Sequence, residues 1–391
     1  MTTTASSTSL VPPEAWALAL SMLPGCGQHR LRTVLAAYDH DPEAAWRAVA
    51  SGSPAVPAPP AVVANWRTAA ADVDAAAAWN ALGDGVGVWV LGGDGYPPAL
   101  ADDPDPPPIL FWRGDPEALE RPAVGIVGTR RCTAYGTDVA RSLGRDLAAA
   151  GVTVVSGLAL GIDGAAHEGA LAAGYVHGRP VDADDDDAKP SHDVGPPIAV
   201  VGSALDVVYP TRHRALWQRV SERGLLLTEA PPGALPEPWR FPRRNRILAG
   251  LSKVVVVVES HASGGSLSTV RHAIERGISV MAVPGSVRSP SSAGTNRLLA
   301  DGVAPVTDAE DILVALSLEG ATVATPTRPT PTTPKVPDDD SPVLAAVEWT
   351  PTRTEDVLRR TGLPLGAVAK ELARLEVEGR VRRRGAWWER R

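Results

Sequence analysis

The stretch "FPRRNRILAG", residues 241–250, places three arginines and an asparagine in four consecutive positions, just ahead of the apolar run "LSKVVVVVES". Arginine's planar fork pairs bidentately with phosphate and also stacks on a base. Arg243, Arg244 and Arg246 therefore read as anion ligands, with one of the three expected to tie a loop to carbonyl groups instead. Asn245 either fixes that loop by hydrogen bonds to the backbone or meets a base edge.

Five further stretches carry compatible chemistry. "GIVGTRR" contains Gly128, Arg130 and Arg131; "SGLALGIDGAAH" contains Gly157; "VGSALDVVYP" contains Gly202; "ESHASGGSLSTV" contains Gly264 and Gly265; "VPGSVRSPSSAGTN" is rich in glycine and serine. Glycines let the backbone approach a ligand closely, and N–H groups at a following helix start favour an anion. One glycine loop after a strand is commonplace. Several on one edge of one sheet, joined by five arginines, form a phosphate-lined crevice.

Asp163 and His167 stand four residues apart and suit an acid–base pair on one helix face. The alternative is an aspartate capping the helix start, with His167 hydrogen-bonded in an interface. Glu259, at the end of the valine run, is expected to orient the 263–269 loop.

These loops need a frame. Short β-branched runs recur at 123–127, 152–156, 198–202, 225–229, 253–259 and 278–283, with helical patterns such as "GTDVARSLGRDLAAAG" between them. Near-continuous apolar strands alternating with helices mean an α/β domain whose doubly wound parallel sheet is covered on both faces. Ligands in such sheets bind beyond the carboxyl ends of the strands.

At 391 residues the chain has room for two or three domains. Residues 10–80 read as short helices. Within them "LPGCGQHRL" resembles the turn of a helix-hairpin-helix and equally fits an ordinary glycine turn. The α/β domain is expected over 85–318. Its acidic segment 177–195, with "DADDDDA", has no apolar period and reads as a disordered insertion. A Pro/Thr linker covers 319–342. Residues 343–391 suggest three helices and a two-stranded wing, "RVRRRGAWWERR", with Trp387 or Trp388 in its core.

The formal net charge is −7, yet residues 353–391 carry 11 Lys/Arg against 6 Asp/Glu, so the charge is unevenly placed. Arginine outnumbers lysine 34 to 4, a bias that a GC-rich bacterial genome produces without any nucleic-acid role. Cys26 and Cys132 match no metal-ligand spacing and read as free thiols. Neither a signal peptide nor a membrane-spanning run is visible, so a cytoplasmic location is expected.

Taken in order, "VGTRRCTAYG", "SGLALGIDGAAHEGAL", "LDVVYPTRHRAL", "FPRRNRILAGLS" and "MAVPG" resemble the DprA/Smf family of bacterial DNA-processing proteins over about 95–316. The resemblance implies an extended Rossmann domain that binds single-stranded DNA without sequence preference. It further implies a homodimer through that domain and assistance to the RecA recombinase during natural transformation, with no cofactor. Carried onto this chain, the interface comprises Gly128, Thr129, Arg130, Arg131, Ser156, Gly157, Gly202, Arg243, Arg244, Asn245, Arg246, Gly264, Gly265 and Ser266. Some members use a basic residue directly after the Tyr-Pro pair. Here Thr211 holds that place, and Arg212 or His213 would substitute.

Two other functions compete. The same Rossmann variant resembles nucleoside-monophosphate phosphoribohydrolases, whose glycine loop ends in a catalytic glutamate. The matching stretch "SGGSLSTVR" has Arg271 there, which removes the group that acts on the glycosidic bond. A transcription regulator, sensing a nucleotide and reading duplex DNA through the wing, is the runner-up. The motifs favour a non-enzymatic single-strand binder.

Overall fold

The computed structural model describes residues 11–53, 55–83, 85–173, 175–176, 179–180, 194–321, 341–348, 351–385 and 387–390. The chain divides into two compact units, 1–326 and 327–391.

The first unit opens with α1 (Pro13–Ser21), α2 (Gln28–Ala36), α3 (Pro42–Ser51), α4 (Pro60–Ala70) and α5 (Ala75–Asn80). Proline sits in the first turn of α1, α3 and α4, where its missing N–H costs nothing. Asp41 and Asp74 cap α3 and α5 by accepting two backbone N–H bonds each. These helices do not form a separate domain. Leu18, Leu31, Trp46 and Trp66 share one apolar core with Phe111, Trp217 and Leu226, so residue 80 marks no break in packing.

Next come β1 (Val86–Val90), α6 (Pro98–Ala101), β2 (Ile109–Gly114), β3 (Ala123–Val127), α7 (Ala134–Ala149), β4 (Thr153–Ser156) and α8 (Ile162–Ala172). A two-residue hairpin, β5 (Tyr175–Val176) and β6 (Arg179–Pro180), begins the acidic segment; positions 177, 178 and 181–193 of that segment lie outside the described residues. The unit continues through β7 (Pro197–Val200), α9 (Arg214–Arg223), β8 (Leu225–Thr228), α10 (Arg240–Gly250) and β9 (Val254–Val257). It ends with α11 (Ser266–Glu275), β10 (Ser279–Ala282), α12 (Ala293–Ala300), β11 (Ala304–Pro305) and α13 (Ala309–Leu318).

All six expected strands are present, in a nine-stranded sheet ordered β1-β2-β8-β7-β4-β3-β9-β10-β11. From β8 to β11 every pairing is parallel. β1 and β2, which the sequence pattern does not single out, add an antiparallel edge. Strand side chains alternate between two layers. Val124 and Ile126 pack with α7, α8 and α13, whereas Ala123 and Val127 pack with α10 and α11.

The second unit holds α14 (Pro342–Ala346), β12 (Thr352–Arg353), α15 (Thr354–Thr361), α16 (Leu365–Val377), β13 (Val381–Arg384) and β14 (Trp387–Arg390). Three helices and an antiparallel sheet ordered β12-β14-β13 make the winged helix. Trp388 lies in its core with Val357, Leu372 and Leu375, while Trp387 is partly exposed beneath the Arg353 guanidinium. The expected linker lies outside the described residues over 322–340.

α7 and α8 touch backbone to backbone. A Cβ at Gly144 would come within 2.2 Å of the Ala166 carbonyl oxygen, and one at Gly169 within 2.1 Å of that of Arg141. Helix propensity alone favours Gly144→Ala by about 1 kcal/mol. Forcing the two helices apart costs typically about 1–3 kcal/mol, and the steric clash is expected to win. Urea melts should show Gly144→Ala less stable than the parent protein.

Candidate nucleic-acid interface

From β3 the chain winds outward through β4, β7 and β8, then returns to lay β9 on the other side of β3. Strand order reverses there, so no crossover covers the gap between the carboxyl ends of β3 and β9. A cleft of about 710 Å³ opens at that point. Gly128, Thr129, Arg130 and Arg131 line one wall, and His261, Gly264, Gly265 and Ser266 another. The start of α10 closes it with Phe241, Pro242, Arg244 and Asn245. A recess of about 50 Å³, lined by Gly157, Gly202, Tyr209 and Phe241, shares Arg130 with it.

Buried side chains hold these loops in place. The Glu259 carboxylate accepts the Thr133 N–H at 2.8 Å and its hydroxyl at 2.7 Å, and the Glu259 carbonyl accepts the Thr129 N–H at 2.8 Å. Thr133 in turn caps α7. Glu259 thus anchors the 128–136 loop, not the 263–269 loop expected from the sequence. That second loop is held by a 3.0 Å bond from the Ser266 hydroxyl to Ser260. Asn245 secures the same loop through a side chain: its amide donates to Ser268 Oγ at 2.7 Å, and Ser268 donates to the Gly265 carbonyl.

Gly157 has a steric reason for its identity. A Cβ there would lie 1.9 Å from Nη1 of Arg244, whose guanidinium fills the space and donates to the Val200 carbonyl. Beside it, Leu158 is held at φ +54° with its side chain buried and His213 Nδ1 3.0 Å from its carbonyl oxygen. A left-handed non-glycine residue costs of order 1–3 kcal/mol and persists only where its surroundings enforce it. Ser156, expected at the interface, is buried and donates to the Ile126 carbonyl at 2.6 Å.

Asp163 is buried, but it does not cap its own helix. Its Oδ2 accepts the Gly157 N–H at 3.2 Å, pinning the loop from below. Burial raises its pKa, against the pull of the Arg244 charge and the hydrogen bonds from Ala159 and Gly157. Arg244, desolvated and only partly compensated by Asp163, is lowered to about 10 and stays charged near neutrality. His167 makes no close hydrogen bond through either ring nitrogen. Burial first, then His213 and Arg244, push it down to about 3, against a weaker upward pull from the Ser156 backbone. It is a neutral core residue, not the acid–base partner of Asp163.

The arginines separate by partner. Arg246 is buried at 4% exposure, with 2.6 Å to Glu229 and 2.9 Å to Asp105. Arg243 is half-buried, with its Nε 3.4 Å from the same glutamate. Arg32 of α2 pairs with Asp105, and Gln28 donates to the Glu229 carbonyl at 2.6 Å, so the helical segment is stitched to α10 through this network. Burial works against the Asp105 charge, but Arg246 and Arg32 outweigh it and lower the pKa. Among the described residues, then, two of the three motif arginines face carboxylates within the fold, and neither lines the cleft. Arg130 and Arg131 do line it, and neither forms an ion pair among the described residues; Arg130 lies 4.8 Å over the Phe241 ring. Arg212 is exposed on the turn Thr211–His213, outside both recesses.

A family model described as DNA recombination-mediator protein A matches residues 87–317. The chain belongs to that family. Residues 325–386 match a DprA winged helix domain. Protein Smf of Escherichia coli is 36% identical over 288 residues, covering 73% of this chain and 72% of its own. Protein Smf of Synechocystis is 33% identical, over 73% and 75% respectively. Among solved structures, DNA processing protein A from Streptococcus pneumoniae aligns with TM-score 0.62 at 31% identity, covering 76% of this chain and 95% of that one. A second, from Helicobacter pylori and described for its single-stranded DNA binding mode, aligns at 0.50 and 28%, over 61% and 97%.

Family membership and geometry together bring forward residues that the sequence motifs do not single out. Tyr209, Phe241 and His261 all line the cleft, with the Tyr209 and Phe241 rings 5.5 Å apart. A usable signal is present in "VYPTRH" and "RFPRR", where aromatic rings stand close to basic residues. No helix among the described residues is long and apolar enough to cross a membrane.

The buried charges make two outcomes measurable. Arg246→Ala leaves Glu229 buried without its closest partner and is expected to cost about 3–5 kcal/mol in urea unfolding, whereas Arg131→Ala, on the exposed rim, should stay within about 0.5 kcal/mol. His167 has a folded pKa below its unfolded value, so the unfolded chain binds its proton first. Its contribution is full above about pH 6.5 and is lost as pH falls toward 3, with a slope of at most about 1.4 kcal/mol per pH unit. Unfolding free energies measured between pH 7 and 4 should decline less steeply in His167→Gln than in the parent protein.

Proposed function

We propose that this protein is a non-enzymatic mediator that holds single-stranded DNA in the β3–β9 cleft without sequence preference. The observation that carries this reading is the pairing of Arg130 and Arg131, which form no ion pair among the described residues, with the rings of Phe241 and Tyr209 along one cleft. Single-strand binders combine a positive groove for the backbone with aromatic platforms for the bases, and stacking is indifferent to sequence. Backbone N–H groups of Gly265 and Ser266, where α11 begins, suit a phosphate between the two, while that of Gly264 donates to the His261 carbonyl. The Helicobacter pylori relative, named for its single-stranded DNA binding mode, supports the same assignment. Within the family reading, the bound strand is passed to the RecA recombinase, and the α/β unit forms the homodimer.

The competing functions have less behind them. In the hydrolase alignment Arg271 is exposed on α11 and absent from the cleft lining, while Asp163 and Glu259 are both committed to holding loops. In the winged helix, α16 exposes Leu365, Ala369, Ala373 and Val377 beside Lys370 and Glu376, and Arg374 is bonded to Glu371 and Glu378. That surface is more apolar than a reader of base edges needs, since those edges are read by polar and charged groups.

The test is a titration of labelled oligonucleotides of several sequences at a series of salt concentrations. Arg130→Ala with Arg131→Ala is expected to weaken binding to all sequences alike and to reduce the salt slope by about 1.4, or 0.7 for each phosphate no longer neutralised. Parent-like affinity and slope in the folded double variant would remove the cleft from the function.

A further inference from the structure

Trp239 stands immediately outside the cleft and is 51% exposed, an unusual position for the largest apolar side chain. Two neighbouring side chains contact it. Its indole Nε1 donates to Glu237, and the Arg240 guanidinium lies 4.6 Å over its ring. Pro236, Pro238 and Pro242, all of which line the cleft, bracket it in the chain and restrict the backbone on either side. Phe241, two residues on, is already in the cleft wall. Trp239 is thus held by a carboxylate and a guanidinium, and it belongs to none of the apolar cores of its unit.

We propose that Trp239 is an outer stacking platform, which receives a base of the strand as it leaves the cleft past Pro238, with Arg240 meeting the adjoining phosphate. The proposal rests on the single-strand reading and extends it to a second site. An aromatic face that is fixed in advance loses little conformational freedom when a base stacks on it. Arg240 suits the accompanying phosphate because its guanidinium, set over the exposed indole, makes only a long approach of 4.0 Å to the Glu237 carboxylate. A cation against an indole also stays attached to the platform when the phosphate arrives.

The experiment compares the parent protein with Trp239→Ala, Trp239→Phe and Phe241→Ala on oligothymidylates from about four to twenty nucleotides. Stacking on one aromatic residue is worth about 1–3 kcal/mol per base, or at least about fivefold in affinity. Trp239→Ala is expected to lose that factor on long strands only, and Trp239→Phe to keep most of the parent affinity. Phe241→Ala should weaken binding at every length. A single abasic nucleotide, moved along a long strand, should reproduce the Trp239→Ala loss at one position and add nothing in the variant. Parent-like affinity of Trp239→Ala at all lengths would overturn the proposal, as would an equal loss on the shortest strands, which would make Trp239 a support of the cleft itself. Loss of recombinase stimulation with unchanged DNA affinity would equally overturn it, assigning the indole to a protein partner. Failure of the parent protein to bind any strand would instead overturn the reading of the cleft.

Discussion

Between the carboxyl ends of β3 and β9 the polypeptide must leave a gap, because the segment after β3 departs toward β4 and the segment after β9 departs toward β10. Each departing segment begins with a loop and then a helix, so two loops and two helix starts border one space. The rest of the site depends on that constraint. Phosphate-binding loops can be placed there without disturbing the sheet, whose strands remain apolar and buried on both faces. The walls are then completed by whichever element caps the gap from the side, here the start of α10.

Keeping such a gap open and shaped requires charges beneath it. Glu259 and Asp163 are both buried carboxylates, and each uses its oxygens to accept backbone N–H groups of the loops that line the cleft. Asp163 has a second role, since it offsets part of the Arg244 charge. A cleft floor with a buried cation and no counter-charge would be costly before any ligand arrived. The rim differs, since Arg130 and Arg131 are exposed and their charge is already solvated. Their attraction for a polyanion is correspondingly salt-sensitive.

The motif "FPRRNR" faces buried carboxylates on one side and the cleft on the other. One side of α10 faces Glu229 and Asp105 and carries Arg243 and Arg246; the other faces the cleft and carries Phe241, Arg244 and Asn245. The helical periodicity alone puts neighbouring arginines on different faces. Because Asp105 also pairs with Arg32, and Glu229 with Gln28, the N-terminal helices are fastened to the same helix that presents the aromatic wall.

The family, the α/β class and the six parallel strands were legible in the sequence, because β-branched runs and glycine-rich loops are local signals. So was the short list of loops that meet at the cleft, since strand ends on one edge of a parallel sheet must converge. The antiparallel edge of β1 and β2 was not: "VGVWV" and "ILFWRG" are short, and their pairing depends on β8, which lies more than a hundred residues further along the chain. The division of labour among the arginines was likewise decided by tertiary structure. Arg246 became structural and Arg244 entered the cleft because Asp105 and Glu229 arrive from distant parts of the chain on only one side of α10. A sequence displays which residues carry charge, but the free energy of a charge is set by its burial and by its partners, and both are properties of the folded chain.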